Sequence, residues 1–454
     1  MKKMLLYLSK IKFQRLLLFG YRTRVPENQL LLGYFSYVVV GTFLLCLPVS
    51  QKIGISIIDN LFNATSALST TGLITVSLAD AYTLFGKLVI LSLIQIGGIG
   101  YMTLISFILL VSTNHLDTDR TNVLNKEFTF PKSFELNEFI KSIILFTFGI
   151  ELLGAIALSV IFYFAHCPQP IWYGIFHSIS AFCTAGFGLY NDSFESFKFN
   201  APFNIVLSLI SFSGSMGFIV LFDVWQWLTK KKPFITFTSK IILWVTIILT
   251  IFGTLMIFFF EPSIRAFTAN QKLLVSFFQA ENALTTTGFN SIPIGILSEG
   301  ILMILTILMY VGASPSGTGG GLKSTTLTGL IGYINSKLKR RHNVTFFHRE
   351  IPEERVSIAI NIFIIYTSVL FFGSCLLTFT EKAPLQNLLF EAASALGTVG
   401  LSVGVTNSLT FAGKIILTSL MFIGRAGVIT IGTVVLLHRI RLLREGTKME
   451  DLAV

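Results

Sequence analysis

Charge is scarce in this chain. Asp, Glu, Lys and Arg make up 13% of 454 residues, and Leu31–Val49, Leu88–Thr113, Phe203–Phe222, Ile241–Phe260 and Val356–Thr380 contain none of them. Soluble domains carry about a quarter of their residues as charges, so an ordinary water-facing surface is excluded. Each uncharged run can cross a bilayer core as a helix, which takes about 20 residues. Ser142–Ala165 is interrupted only by Glu151, and Ile415–Leu437 only by Arg425. Ile301–Lys337 is a further span with an irregular centre.

Cysteine and histidine are also sparse. Cys46, Cys167, Cys183 and Cys375 stand singly in or near apolar segments, which excludes a disulfide framework and a cysteine metal site. His115, His166, His177, His342, His348 and His438 are scattered, with no HExxH or GxSxG pattern. A polytopic enzyme needs converging nucleophile, base or metal ligands, so enzymatic function is excluded. No small-residue cleavage site follows the basic N-terminal stretch, which reads as an amphipathic helix on the membrane surface.

The net charge of +11 does not point to nucleic acid, because of where it lies. Of the 34 Lys and Arg, 25 cluster in Lys2–Arg24, Arg120–Lys141, Lys230–Lys240, Lys337–Arg355 and Arg439–Lys448. In an alternating topology all five clusters fall on one side. The positive-inside bias makes that side the cytoplasm, with both termini, and brings the clusters near anionic lipid.

Against this background one pattern stands out. Leu61–Leu73 (LFNATSALSTTGL), Ile175–Phe187 (IFHSISAFCTAGF), Phe277–Phe289 (FFQAENALTTTGF) and Leu389–Leu401 (LFEAASALGTVGL) align without a gap. The second position is always Phe, the seventh Ala, the tenth Thr and the twelfth Gly; the sixth is Ser or Asn. The glycines are Gly72, Gly186, Gly288 and Gly400. A unit of roughly a hundred residues repeated four times predicts pseudo-fourfold symmetry about one axis.

The expected fold is an all-α polytopic membrane protein with four repeats of long helix, short pore helix, filter turn and long helix. The repeats occupy residues 31–115, 116–232, 233–345 and 346–440, flanked by cytoplasmic segments 1–30 and 441–454. In the first, Leu31–Val49 runs out, Ile57–Thr70 dips in, Thr71–Thr75 is extended and Leu84–Thr113 returns. A short helix of about 14 residues cannot span, and its polar end at membrane depth is tolerated only inside protein or beside water.

A cation can exchange its hydration shell for a ring of backbone carbonyls. The candidate ring is Thr70, Thr71 and Gly72; Thr184, Ala185 and Gly186; Thr286, Thr287 and Gly288; Thr398, Val399 and Gly400. The short helices aim their negative dipole ends at its centre, and no carboxylate ring at the turns indicates a divalent-cation filter.

Glycine clusters recur beyond each turn: Gly97–Gly98–Gly100, Gly214–Gly217, Gly312 with Gly317–Gly321, and Gly424–Gly427. Close helix packing explains the first two. The third, Gly312-Ala-Ser-Pro-Ser-Gly-Thr-Gly-Gly-Gly321, breaks its helix and predicts an intramembrane loop. The candidate gate comprises Gly312, Ser314, Ser316, Gly317, Thr318, Gly319, Gly320, Gly321 and Arg425. Arg425 reads as a positive barrier in the conduction path or as an ion-pair partner of Glu151. Glu281 reads as protonated or hydrogen-bonded, and His177 as a hydrogen-bonded packing residue. Lys323 and Ser324 follow the loop, but not at P-loop spacing. A secondary transporter with a midplane site is the alternative class, though such proteins typically use two inverted halves.

The chain resembles the membrane subunit of the Trk/Ktr/HKT superfamily of potassium transporters, with the Ktr branch fitting its length. The resemblance rests on the four Thr-x-Gly turns, Gln95–Gly100, Phe176–Phe182, Gly312–Lys323, Phe347–Arg355 and Met421–Gly427. It implies K⁺ uptake across the cytoplasmic membrane, with K⁺ bound at the carbonyls of the four glycine turns; Na⁺ is a second candidate ion that the residues leave open. It implies that Gly312–Gly321 is the intramembrane gate with Arg425 opposite. It also implies a homodimer docked on a cytosolic ring of regulatory subunits, through which alone a nucleotide acts.

Overall fold

The computed structural model describes residues 26–100, 103–104, 106–107, 110, 136–341, 343–347 and 349–427. The expected N-terminal surface helix, the basic runs at both termini, most of Arg120–Lys141, the tail 441–454, and His115, His342, His348 and His438 lie outside the described residues.

Among the described residues the structure is helical, with one two-residue hairpin pairing Thr345–Phe346 with Arg349–Glu350. Taken in the order of the four expected repeats, the first stretch holds α1 (Pro26–Cys46), which begins ahead of residue 31, α2 (Ile57–Leu68), the single turn α3 (Leu78–Ala81) and α4 (Leu84–Ile99). The second holds α5 (Leu136–Phe164), α6 (Pro170–Phe182), α7 (Ala201–Ser215) and α8 (Phe218–Leu228). The third holds α9 (Phe237–Phe260), α10 (Ala269–Leu284), α11 (Glu299–Val311) and α12 (Ser324–Leu338). The fourth holds α13 (Glu353–Thr380), α14 (Leu385–Leu396) and α15 (Phe411–Ala426).

The outer helices α5, α9 and α13 are long and apolar enough to cross a membrane, with mean hydropathies of 2.3, 2.6 and 2.1. Bulky side chains such as Leu153, Phe164, Phe260, Phe372 and Phe379 face outward, while Asn60, Ser66, His177, Glu281 and Glu391 are buried. Such an apolar exterior over a polar centre suits a hydrocarbon surround.

The four short helices have 12, 13, 16 and 12 residues. Hydroxyls cap two of them, Ser56 accepting from the Asp59 amide at 3.2 Å and Thr268 forming a capping box with Gln271. The first ends at Leu68 rather than Thr70, because Thr70 has φ +54° and leaves the helix.

The returning helices depart from expectation. Leu88–Thr113, Phe203–Phe222 and Ile415–Leu437 read as uninterrupted spans, but among the described residues the helix stops partway along each, as it does in the third unit. Gly100, Gly217, Gly312 and Gly427 all have positive φ, between +67° and +87°. Helices α4, α7, α11 and α15 stop there or just before, after 16, 15, 13 and 16 residues. At Gly217 the chain turns by 99° between α7 and α8. A lone glycine costs an isolated helix only about 1 kcal/mol; here the break is sealed by tertiary contact, Phe218 N donating to Ser316 O at 3.1 Å.

Each returning helix packs on the short helix of the next repeat: α4 on α6, α7 on α10, α11 on α14, and α15 back on α2. The contacts therefore run in a closed cycle. At the last seam Lys414 pairs with Asp59 at 2.6 Å.

Candidate functional site

The four turns share one backbone conformation. The invariant threonines Thr70, Thr184, Thr286 and Thr398 have φ of +54°, +50°, +57° and +50°, and Gly72, Gly186, Gly288 and Gly400 have +95°, +66°, +83° and +95°. Non-glycine residues rarely adopt the left-handed region, so four in register mark a geometry the surroundings impose.

The glycines also form a cycle. A Cβ built on Gly72 would meet the Ala185 carbonyl, one on Gly186 the Thr287 carbonyl, one on Gly288 the Val399 carbonyl, and one on Gly400 the Thr71 carbonyl. Each glycine faces the carbonyl that precedes the next repeat's glycine. A ring this tight admits no side chain at those four positions.

The turns are tied back to their own short helices by two positions of the repeat. The sixth, Ser or Asn, holds the near end. Ser66 and Ser394 hydroxyls accept from the Gly72 and Gly400 amides at 3.1 and 3.0 Å. Asn282 Oδ1 accepts from Phe289 N at 3.2 Å, and Ser180 Oγ donates to Phe187 O at 2.8 Å. The third position holds the far end. Asn63 accepts from Thr75 N at 3.2 Å, His177 Nε2 from Leu189 N at 3.1 Å, Gln279 from Ser291 N at 3.4 Å and Glu391 from Val403 N at 3.0 Å. The partner is 12 residues on in every case. Sequence reading missed this, because four different residue types do it; the available signal was a polar residue in third place throughout.

The glycine-rich loop lies against the threonines of the ring. Thr70 Oγ1 donates to Thr318 O at 3.2 Å, Thr184 and Thr318 hydroxyls are 3.1 Å apart, and Gly320 N donates to Thr286 Oγ1 at 3.1 Å. A Cβ on Gly320 would strike the Thr398 hydroxyl. The loop thus touches all four turns. It is held by Ala313 N to Gly320 O at 3.0 Å, Ser314 N to Ser215 O at 3.1 Å and Thr318 N to Gly214 O at 3.2 Å. The break in repeat 2 is therefore part of the loop's seat.

Two basic side chains grip the loop. Arg425 donates to the Thr318 carbonyl, to the Gly97 carbonyl and, at 3.2 Å, to Thr70 Oγ1. Lys323 Nζ donates to the Gly319 and Gly320 carbonyls at 2.6 and 3.3 Å. Sequence reading weighed Lys323 only for phosphate binding and did not assign it to the loop; a second cation beside the break was the available signal. Glu151, considered as an Arg425 partner, accepts from Gln95 Nε2 at 2.9 and 3.1 Å and lies 3.8 Å from the Cys183 thiol. Glu281 is buried, with Oε2 accepting from Asn282 and Ser208 at 2.9 and 3.3 Å. His177 bonds at both nitrogens, Nδ1 to Tyr173 O at 2.8 Å, as its expected packing role requires. Gly97 and Gly214 abut the Leu68 and Phe182 carbonyls, so close packing does account for them.

Comparison with known proteins follows the same line. Residues 21–442 match the TrkH family, described as cation transport proteins. The chain is 35% identical over 416 residues to the Ktr system potassium uptake protein B of Bacillus subtilis, covering 89% of this chain and 92% of that one. It is 34% identical over 425 residues to the potassium/sodium uptake protein NtpJ of Enterococcus hirae, covering 90% and 93%. The crystal structure of the potassium transporter TrkH from Vibrio parahaemolyticus superposes with a TM-score of 0.73 over 93% of this chain and 86% of that one; at 18% identity the likeness is one of fold. With most of its length matched, this chain belongs to the TrkH family of cation transport proteins, which are membrane transporters and not enzymes.

Proposed function

We propose that this chain carries K⁺ into the cell across the cytoplasmic membrane, through a filter lined by the carbonyls of its four Thr-x-Gly turns. One observation carries the reading: each turn's glycine faces the carbonyl of the next turn, around a closed cycle. Four copies of a side-chain-free turn supply fixed oxygens around one axis, which suits a monovalent cation shedding its water. The pseudo-fourfold pore and the repeat boundaries belong to this reading.

The gate assignment is supported by the contacts of the loop 312–321 with all four threonines and with Arg425. On this reading the loop closes the ring from the cytoplasmic side, and conduction requires it to move. Homodimerisation, docking on a cytosolic nucleotide-binding ring and cytoplasmic termini rest on the Ktr resemblance and on the placement of basic residues.

A second reading is a Na⁺- or H⁺-coupled secondary transporter of another small cation or solute; the Enterococcus relative, named for uptake of both potassium and sodium, brings in Na⁺ as a second ion. Uptake of ⁸⁶Rb⁺ into liposomes with and without a Na⁺ or proton gradient separates the two. Uptake driven by the K⁺ gradient alone supports the pore. An absolute requirement for either second gradient supports coupling, and no K⁺ or Rb⁺ uptake removes K⁺ as the cargo.

A further inference from the structure

We propose that Asn63, His177, Gln279 and Glu391 are positioning residues that set ion selectivity, by clamping the outward arm of each filter turn to its own short helix. The proposal rests on the filter reading above and deepens it.

The four side chains share neither charge nor shape. Packing alone would let each find its own partner. Instead all four place an acceptor on the amide 12 residues ahead, three residues beyond the filter glycine. The requirement common to Asn, neutral His, Gln and Glu is a hydrogen-bond acceptor. At His177 the tautomer follows from the network: Nδ1–H donates to Tyr173 O at 2.8 Å, leaving Nε2 to accept from Leu189 N. At Glu391 the carboxylate oxygens receive Ser402 Oγ at 2.6 Å, Val403 N at 3.0 Å and Thr406 Oγ1 at 2.6 Å, so the group is occupied as an anchor.

Peptide planarity turns an anchored amide into an aimed carbonyl. In a trans peptide the N–H and the preceding C=O point opposite ways, and the described residues contain no cis bond. The sixth position anchors each turn at or beside its glycine, and the third anchors it three residues later. The glycine segment therefore hangs between two ties on one rigid helix. The position of the ring oxygens is set by those ties as well as by the neighbouring repeat. Discrimination between two cations of equal charge depends on the geometry and stiffness of such a cage.

The test compares acceptor removal with acceptor exchange in the full chain reconstituted in liposomes. His177→Phe keeps an aromatic ring and Glu391→Met keeps the bulk, but both lose the acceptor. His177→Gln and Glu391→Gln install the side chain that repeat 3 uses. The readout is K⁺ and Na⁺ half-saturation, separate from maximal rate, with Gly400→Ser as the filter reference. Removal should lower K⁺ over Na⁺ preference by about fivefold or more, the lower end of the scale for one buried amide left unpaired. The Gln variants should recover most of that preference.

If the acceptor-free proteins insert normally and keep wild-type preference while Gly400→Ser loses it, the clamp is wrong and the filter stands. If Gly400→Ser also keeps wild-type preference, the filter reading fails and takes the clamp with it. Equal losses in the Phe, Met and Gln variants overturn the clamp in favour of general packing. Where a truncated side chain yields no folded protein, an amide-to-ester replacement at Val403 removes the same bond from the donor side. That ester must show the same loss; wild-type preference there overturns the proposal.

Discussion

Replacing Arg425 by alanine deletes bonds to the Thr318 carbonyl, the Thr70 hydroxyl and the Gly97 carbonyl together. The first bears on the loop directly and the second on the turn that Thr318 touches. A hydrogen bond from a charged donor contributes about 1.5–3 kcal/mol. If other donors replace all but one of these bonds, the closed arrangement still loses about 1.5 kcal/mol, close to the 1.4 kcal/mol of a tenfold change. If two bonds are lost, the shift is roughly a hundredfold or more, up to the rate the filter itself allows. Removing the positive charge also removes its repulsion of a cation in the cavity, in the same direction. The Arg425→Ala protein should therefore take up ⁸⁶Rb⁺ at least about tenfold faster in liposomes lacking any regulatory partner. Its K⁺ over Na⁺ preference should stay near wild type, because the carbonyl ring does not include Arg425. Combining Arg425→Ala with deletion of Ser316–Thr318 should give less than the product of the single effects, since both act on one closed state. A well-inserted Arg425→Ala protein that conducts no faster would show the loop to be packing rather than gate.

Gly400→Ala should reduce K⁺ over Na⁺ preference and lower thermal stability, because φ is +95° and the new methyl meets the Thr71 carbonyl; ion competition in flux assays and a melting curve check both. Lys323→Met should raise flux by several-fold and add little to Arg425→Ala, since it frees the Gly319 and Gly320 carbonyls of the same loop; wild-type flux would remove Lys323 from the gate. Lys414→Met should cost at most about 1 kcal/mol of stability at the seam between the last and first repeats, the pair being partly exposed; chemical denaturation in detergent measures it. Cysteines placed beside Arg340 should resist impermeant reagents added outside intact cells, and external labelling there would invert the topology.

Much of the site was readable from composition and repetition. The scarcity of charge required a membrane, since only helices and closed barrels satisfy their backbone in lipid. The four turns were visible because a tight ring tolerates only glycine at its closest approach, so the same residue had to appear four times. The loop was visible because proline and clustered glycines cannot continue a helix. Arg425 was visible because a charge in an apolar span needs a reason.

Other features were decided by tertiary structure. The helix ends at Gly100, Gly217 and Gly427 were not legible, because a single glycine is tolerated inside a helix until neighbouring backbone supplies the missing bonds, as Ser316 O does for Phe218 N. Lys323 had no assigned partner until the fold brought it to the Gly319 and Gly320 carbonyls. Glu151, which entered the sequence analysis only as one of two alternatives for Arg425, accepts from Gln95, a choice made by which helices pack together. The third-position clamp was hidden for a different reason. A glycine of the closed ring is defined by what it lacks, and only one residue lacks it. A hydrogen-bond acceptor is a property that Asn, His, Gln and Glu all share, so only folded geometry shows the four to be equivalent.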